Sequence, residues 1–264
     1  MSSLESAIRI LQSLSVQKPT LRVSDAAAEL DIPKSTVSRL LKTLSEGGIL
    51  ERQDGGREYS VGPLLLQLGG LYVSTHSVLD LVDRSLSRLV ETFGFTAYAG
   101  ILDGADVVVL RQWQGSHPLR LVLDVGSRLP AEQTALGLAL LSNCEDAVVA
   151  ERLGPSVVHP VTGEAIPLAD TLVDVRRCRE AGWIEVACAT APGITSIGAV
   201  IKARNASQPD ISMSVSFPDH AADDALRSAM AAEIIGAARD ITELSSMPLQ
   251  LSGPRNPGAT RGAR

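Results

Sequence analysis

The chain has 264 residues, of which 45% are hydrophobic and 3% aromatic, and its formal net charge is −6. This composition predicts an aliphatic core with room for two domains, and it argues against nucleic-acid binding along the whole length. Three scattered cysteines without a CxxC pair exclude a disulfide framework and a structural zinc site, and we expect no metal and no cofactor. Without a signal peptide or an apolar run of about 20 residues, we expect a cytoplasmic protein with no membrane segment.

Three helices are predicted within the first 46 residues. The first has a continuous apolar stripe between residues 4 and 14, and the second is a short helix for which Ser24 is the candidate N-cap. Asp31-Ile32-Pro33 breaks the chain, and Pro33 suits the first turn of a third helix over 33–46. Two helices joined by so short a break must cross steeply, as in a helix-turn-helix.

The third helix carries two opposite stripes. Its apolar stripe consists of Val37, Leu40, Leu41 and Leu44. Its polar stripe lies two residues earlier, about 200° around the helix, and consists of Ser35, Ser38, Arg39 and Lys42. Hydroxyls and cations without a carboxylate among them are typical of a helix that contacts phosphates and base edges in a DNA major groove. Taken alone, the same pattern also fits an ordinary amphipathic surface helix.

A hairpin is predicted directly after the third helix. Residues 49–53 and 57–61 are its strands, and Asp54-Gly55-Gly56 is its turn. Three helices followed by a hairpin form a winged helix-turn-helix, although the eight basic and eight acidic residues of 1–62 cancel. We therefore expect DNA affinity that depends on base contacts and on a dimer. The candidate DNA contacts are Lys34, Ser35, Thr36, Ser38, Arg39, Lys42, Arg52, Arg57 and Tyr59.

Leucines at helical spacing predict a linker helix over 63–76, followed by a further helix through residue 90. The leucine face of the linker needs a partner, either elsewhere in the same chain or in a second copy. We therefore divide the chain into a DNA-binding domain (1–62), the linker (63–76), a larger domain (77–250) and a disordered Gly-, Pro- and Arg-rich tail (251–264).

The larger domain alternates predicted strands and helices. The strands are placed at 95–102, 106–113, 119–123, 183–189, 196–202 and 211–217. The helices are placed at 131–141, 145–153, 167–181 and 221–244. We expect an α+β domain in which helices pack on an antiparallel six-stranded sheet.

The sequence resembles the IclR family of bacterial transcription regulators. The resemblance rests on SLESAIRIL, LDIPKSTVSRLLKTL and GILERQDGGREYSVGPLLLQLG near the start, and on GSRLPAEQTALGLALL and APGITSIGAVI further on. It implies a winged-helix DNA-binding domain, a linker helix and a GAF-like effector domain. It also implies dimers or tetramers bound to pseudo-palindromic operator DNA, under the control of a small organic effector.

The resemblance also implies an effector pocket on one side of the sheet. The TALG-type segment, whose backbone amides can bond a ligand, corresponds to Thr134, Ala135, Leu136 and Gly137. Ala187 lies in a second segment expected at the pocket, and the hydroxyls expected to line it are those of Ser196, Ser214 and Ser216. Residues two apart share one face of a strand, which independently pairs Ser214 with Ser216. Each serine can also be a buried hydroxyl that only the backbone satisfies.

Two departures from the family pattern remove charge near the expected pocket. Many members have an acidic run where this chain has the largely apolar segment 185–189, and many have Lys where it has Leu138. The hypothesis is an aromatic or weakly polar effector rather than a small keto acid, and a degenerate pocket is the alternative.

Three functions are open on the sequence. The favoured one is a transcriptional regulator, a repressor of a catabolic or related operon. A ligand sensor that acts through a protein partner is the second. A cytosolic enzyme is the third, and we do not expect it, because the chain has no GxGxxG after a strand, P-loop, GxSxG or HExxH motif and its four histidines are scattered.

Overall fold

The computed structural model describes residues 2–246 except 16–17, 53–55, 76–77, 119–122, 160, 190 and 204–207. The tail predicted at 251–264 therefore lies outside the described residues. The N-terminal elements are α1 (Ser3–Gln12), β1 (Thr20–Arg22), α2 (Val23–Leu30), α3 (Lys34–Glu46), β2 (Leu50–Arg52) and β3 (Glu58–Val61). These three helices and the antiparallel sheet β1-β3-β2 form the predicted winged helix-turn-helix.

At the N-terminal helices, the structure adds one cap that was not predicted and contradicts one that was. Helix α1 begins with a capping box, in which the Ser2 hydroxyl accepts from the Glu5 N–H and the Glu5 carboxylate accepts from the Ser2 N–H. The prediction that Ser24 caps α2 is wrong, because α2 begins at Val23 and the Ser24 hydroxyl donates instead to Asp25. Strand β1 was not predicted, since three residues give too short a pattern to recognise.

Helix α3 is oriented as its two stripes predict. Val37, Leu40, Leu41 and Leu44 are all buried in one cluster with side chains of α1, α2 and the sheet. The helix ends at Glu46 with Gly47 as its C-cap, and Gly48 then turns the chain with a φ of +71°, a left-handed conformation that favours glycine.

Two helices connect the N-terminal unit to the larger sheet. They are α4 (Pro63–Thr75) and α5 (Val78–Phe93). The boundary predicted near residue 76 falls outside the described residues. Leu66, Leu68 and Leu71 of α4 are each more than half exposed.

The larger unit contains the predicted antiparallel six-stranded sheet, in the order β6-β5-β4-β11-β10-β9. Its strands are β4 (Thr96–Asp103), β5 (Asp106–Trp113), β6 (Arg128–Pro130), β9 (Ile184–Ala187), β10 (Ile194–Ile201) and β11 (Ile211–Pro218), and a separate hairpin consists of β7 (Ser156–Val158) and β8 (Ala165–Pro167). The sixth strand of the sheet is β6. The strand predicted at 119–123 lies outside the described residues except for Leu123, which is not in a strand.

Helices cover both faces of this sheet. They are α5, α6 (Ala135–Leu141), α7 (Asp146–Leu153), α8 (Leu168–Ala181) and α9 (Asp224–Ser246). Helices α5 and α9 pack on one face, and α6 packs on the other across β4, β10 and β11, with α8 behind it. Every residue of the central strand β11 is therefore buried. Its apolar residues Met213, Val215 and Phe217 enter the core under α5 and α9, so the intervening serines must face α6.

The helix predicted over 131–141 is interrupted. Residues Ala131–Gln133 form a single 3-10 turn, Thr134 is extended, and the α-helix starts only at Ala135. The terminal helix likewise starts at Asp224 rather than at Ala221, which ends another 3-10 turn.

Neighbouring residues of α3 test its orientation. Leu41→Ala should lower the free energy of unfolding by about 2–5 kcal/mol, because it leaves a cavity among buried aliphatic side chains. Lys42→Ala, the matched control on the exposed side, should change it by less than about 0.5 kcal/mol. Urea unfolding followed by far-UV circular dichroism measures both, and equal effects would contradict the orientation.

Candidate DNA-contacting surface and effector pocket

The polar stripe of α3 is exposed along its whole length. Ser35, Ser38, Arg39 and Lys42 are all exposed, and Lys34 joins them at the start of the helix. The guanidinium of Arg39 makes no ion pair or hydrogen bond with any residue in the described part of the chain. Its charge is therefore available to a ligand outside the chain.

One carboxylate stands beside this stripe. Lys42 Nζ lies 3.7 Å from Glu46 Oε1, one helical turn further along, and both side chains are largely exposed. An exposed pair at this distance contributes little to stability, so Lys42 can exchange Glu46 for a phosphate at small cost. The side chain of Thr36, also predicted to contact DNA, is half-buried at the edge of the stripe.

The wing presents two further arginines. Arg57 is exposed, and the exposed Arg52 donates from Nε to the Gly56 carbonyl at 3.0 Å. The turn predicted at 54–56 lies outside the described residues except for Gly56. The DNA contact predicted for Tyr59 is corrected to a core role, because Tyr59 is only 8% exposed and its ring packs in the N-terminal cluster, 5.9 Å from the Arg52 guanidinium carbon.

An ion pair ties the wing to β1. Arg22 Nε donates to Glu58 Oε1 at 2.8 Å, directly across the β1–β3 register. The hydrogen bond and the charge of Arg22 lower the pKa of Glu58 below its ordinary value. This link fixes the start of β3, next to the wing turn. The sequence did not reveal it because β1 was missed.

A cavity of about 580 Å³, open mouth included, lies between the six-stranded sheet and the start of α6. Only about 50 Å³ of this space admits the centre of a water-sized sphere. This is well below the roughly 300–1,000 Å³ of small-molecule sites, so the walls must move apart to hold an effector. Its walls come from β4, β6, β9, β10, β11 and the 133–136 segment. The lining residues are Tyr98, Leu123, Leu129, Pro130, Gln133, Thr134, Ala135, Leu136, Val186, Cys188, Ala189, Ser196, Ser214 and Ser216.

The three predicted serines meet in this cavity. Ser196 of β10 and Ser216 of β11 face each other across the strand pair, and their hydroxyl oxygens lie 2.7 Å apart. Ser214 is 3% exposed, and its hydroxyl makes no hydrogen bond within the described residues. One hydrogen bond joins Ser196 and Ser216, and the hydroxyl that accepts it keeps its own hydrogen to donate. Ser214 offers both a donor and an acceptor.

The TALG-type segment is only partly available to a ligand. Thr134 is the N-cap of α6, and its hydroxyl accepts the Gly137 N–H at 2.9 Å. Gly137 does not line the cavity, so its predicted ligand role is corrected to a packing role. The N–H groups of Ala135 and Leu136, in the first turn of α6, have no acceptor among the described residues.

The predicted ligand contact of Ala187 is wrong. Successive side chains of β9 point to opposite faces, and Val186 and Cys188 line the cavity on either side of Ala187. Ala187 pairs with Thr195 across the β9–β10 ladder and faces the other side of the sheet, near Trp183. Which side chains of β9 face the cavity is set by the register in which β9 pairs with β10. That register cannot be read from the sequence of β9 alone.

Sequence reasoning missed one polar residue of the cavity, Gln133. Its Nε2 donates to Glu132 Oε1 and to the Val158 carbonyl, both at 2.9 Å. Its Oε1 is buried and has no hydrogen-bond partner within the described residues. Its position immediately before Thr134 could have marked Gln133 as a pocket residue. We did not identify it because the sequence predicted one continuous helix there, without the turn that directs Gln133 to the cavity.

The described lining contains no Lys, Arg, His, Asp or Glu side chain. Within the residues that the structure describes, no group of His, Cys, Asp and Glu side chains could hold a metal ion, and no helix is long and apolar enough to cross a membrane. The cavity is therefore suited to a molecule with apolar surface and a few hydrogen-bonding groups.

Family comparison identifies both units of the chain. The model described as "Bacterial transcriptional regulator IclR C-terminal" matches residues 70–243, and the model of the IclR helix-turn-helix domain matches residues 3–54. The chain belongs to the IclR family. It is a transcriptional regulator with a helix-turn-helix domain and an effector domain.

Curated IclR relatives match over most of their length. The chain is 29% identical over 241 residues to the HTH-type transcriptional regulator BhcR of Paracoccus denitrificans, covering 91% of this chain and 86% of BhcR. It is 26% identical over 216 residues to the HTH-type transcriptional repressor AllR of Escherichia coli K12, covering 78% of this chain and 80% of AllR.

Solved IclR structures share the fold. A putative IclR regulator from Silicibacter sp. TM1040 superposes with a TM-score of 0.82 at 21% identity, covering 93% of this chain and 96% of that one. An IclR homologue from Microbacterium hydrocarbonoxydans was solved in complex with 4-hydroxybenzoate. It superposes with a TM-score of 0.75 at 19% identity, covering 92% of this chain and 99% of that one.

Two helical glycines test the packing of α6. A Cβ at Gly137 would lie 2.1 Å from the Ala131 carbonyl oxygen, so Gly137→Ala should destabilise the protein by at least about 2 kcal/mol. The matched control Gly236→Ala in α9 meets nothing within 4 Å and should stabilise by about 0.5–1 kcal/mol. Thermal unfolding compares the two, and a neutral Gly137→Ala would refute the close approach.

Proposed function

We propose that this IclR-family regulator represses a catabolic or related operon by binding a pseudo-palindromic operator as a dimer, and that a small organic effector in the cavity controls the binding. The observation that carries the proposal is the exposed, cationic stripe of α3, held opposite the buried leucines of the same helix.

The proposed DNA contacts divide between helix and wing. Helix α3 would enter the major groove and contact phosphates or base edges through Lys34, Ser35, Thr36, Ser38, Arg39 and Lys42. The wing would contact the adjacent backbone through Arg52 and Arg57. Because the N-terminal 62 residues carry no net charge, sequence-independent attraction to DNA is weak and specific contacts must supply the affinity.

Exposed leucines support a dimer. In α4, Leu66 is 79% exposed, Leu68 51% and Leu71 59%, an unusual amount of aliphatic surface on one helix. Leu4 and Ile8 of α1 are also exposed. Burying these side chains against a second copy would fix two recognition helices about 34–36 Å apart, one turn of DNA.

The uncharged cavity supports an effector that is aromatic or otherwise weakly polar. A small keto acid would bring an ionised carboxylate to walls that offer no cation among the described residues. An effector that binds one arrangement of the dimer better than another shifts the balance between them, typically by about 1–3 kcal/mol. We favour release from the operator, because a repressor needs only to occupy a promoter.

An enzymatic role has less support. Burial raises the pKa of the Cys144 and Cys178 thiols, which keeps them in the unreactive protonated form. Since operator DNA is the proposed partner, we place the protein in the cytoplasm.

Arg39→Ala and Lys42→Ala test the DNA contacts. Each should weaken binding to the DNA upstream of the protein's own gene by about 1–3 kcal/mol, or roughly 5- to 150-fold. Each should also make the salt dependence less steep, by about one counterion for each phosphate that the truncated side chain no longer binds. Gel-shift titrations at several salt concentrations measure both, with the remote and exposed Arg177→Ala as control. Undiminished binding by both variants would remove α3 from the interface.

Introducing carboxylates on the linker helix tests the dimer. Leu68→Glu combined with Leu71→Glu should convert a dimer into a monomer in analytical ultracentrifugation, because it places carboxylates in the proposed apolar contact. Gln67→Glu, the control, adds one such carboxylate at an exposed neighbouring position and should leave the mass of the assembly unchanged. A double variant that stays dimeric would place the interface elsewhere.

A further inference from the structure

We propose that the effector is an uncharged molecule with a hydroxyl group, an alcohol or a phenol, and that Ser214 and Gln133 bind this hydroxyl. The inference rests on the proposed effector role of the cavity and names the chemical class that the cavity accepts.

Ser214 supplies the first half of the recognition. It lies at the centre of the sheet, between Tyr98 of β4 and Gly198 of β10, and it lines the cavity. It is buried, yet its hydroxyl has no hydrogen-bond partner within the described residues, unlike the neighbouring pair Ser196–Ser216. Among the described residues, the buried side-chain oxygen or nitrogen without a partner is Gln133 Oε1. The Ser214 hydroxyl instead opens onto the cavity, where a ligand can reach it.

Gln133 supplies the second half. Both hydrogens of its Nε2 are used, one by Glu132 and one by the Val158 carbonyl, and this fixes the direction of the amide group. Its Oε1 is consequently left as a buried acceptor without a donor among the described residues. A buried acceptor without a hydrogen bond costs free energy, because it has lost its bonds to water. A ligand that opens the cavity and donates an O–H to Gln133 Oε1 would remove this cost.

A hydroxyl matches these two groups better than other polar groups do. It donates one hydrogen bond to Gln133 Oε1 and accepts one from the Ser214 O–H. A methyl ether has no donor for Gln133. A carboxylate has only acceptor oxygens, which Gln133 Oε1 repels, and the described lining has no cation to balance its charge. Only neutral donors, such as the N–H groups of Ala135 and Leu136, would stabilise it there. The rest of the ligand would contact apolar walls such as Leu129, Leu136 and Val186.

Matched ligands test the inference on the full chain. We would titrate 4-methylphenol, 4-methylanisole and 4-methylbenzoate, and likewise cyclohexylmethanol with its methyl ether and cyclohexanecarboxylate, by isothermal calorimetry. In at least one series the hydroxyl compound should bind about tenfold more tightly than its ether, and more tightly than its carboxylate. In Ser214→Ala and in the nearly isosteric Gln133→Met, this preference should fall to within about twofold while ether binding persists. The control Ser228→Ala, on an exposed part of α9, should keep the full preference.

Three results would each overturn the inference. The compounds could bind equally within both series, neither hydroxyl compound could bind, or the preference for the hydroxyl could survive in both pocket variants. Operator binding by the unliganded protein separates this failure from that of the proposed function. A protein that binds the operator and is released by a carboxylate would keep the regulatory role and refute only the hydroxyl ligand. A protein that does not bind upstream DNA would refute the regulatory role itself.

Discussion

The burial of one aliphatic face of α3 determines what the opposite face can do. Val37, Leu40, Leu41 and Leu44 anchor the helix to the N-terminal core, and the helical repeat then turns Arg39 outward. Rotating the helix to hide Arg39 would expose these leucines, each of which gains about 1.5–3 kcal/mol from burial. The direction of the proposed DNA contacts is thus a consequence of core packing. It does not depend on a strongly basic domain, which this chain lacks.

A similar constraint shapes the effector domain. Helices cover both faces of the six-stranded sheet, so β11 is buried throughout, yet its sequence ISMSVSF alternates large apolar residues with serines. The apolar side fills the core under α5 and α9. The serine side is small enough to leave space below α6, and this space is the cavity. The short break at Thr134, which separates a 3-10 turn from α6, brings Gln133 into the same space.

Patterns that repeat within one segment allowed most of the fold to be predicted from sequence. Helical periodicity identified α3 and its orientation, and strand alternation paired Ser214 with Ser216. Features set by pairing between distant segments were missed. Strand β1 is three residues long and pairs with β3 across about forty residues, and β6 completes the sheet in the same way. The orientation of Ala187 depends on its register with β10, and the burial of Tyr59 depends on the register of the wing.

The most direct test of the central claim is photo-cross-linking from the outward face of α3 to DNA. Ser38→Cys, labelled with a photoactivatable aryl azide, should cross-link to two half-sites about 34–36 Å apart within the region that the protein protects. The same label at Ser228→Cys on α9 should not, and the labelled wild type measures the background from the three native cysteines. Protection of upstream DNA without any cross-link from position 38 would contradict the account, because it would show that another surface of this regulator binds the duplex.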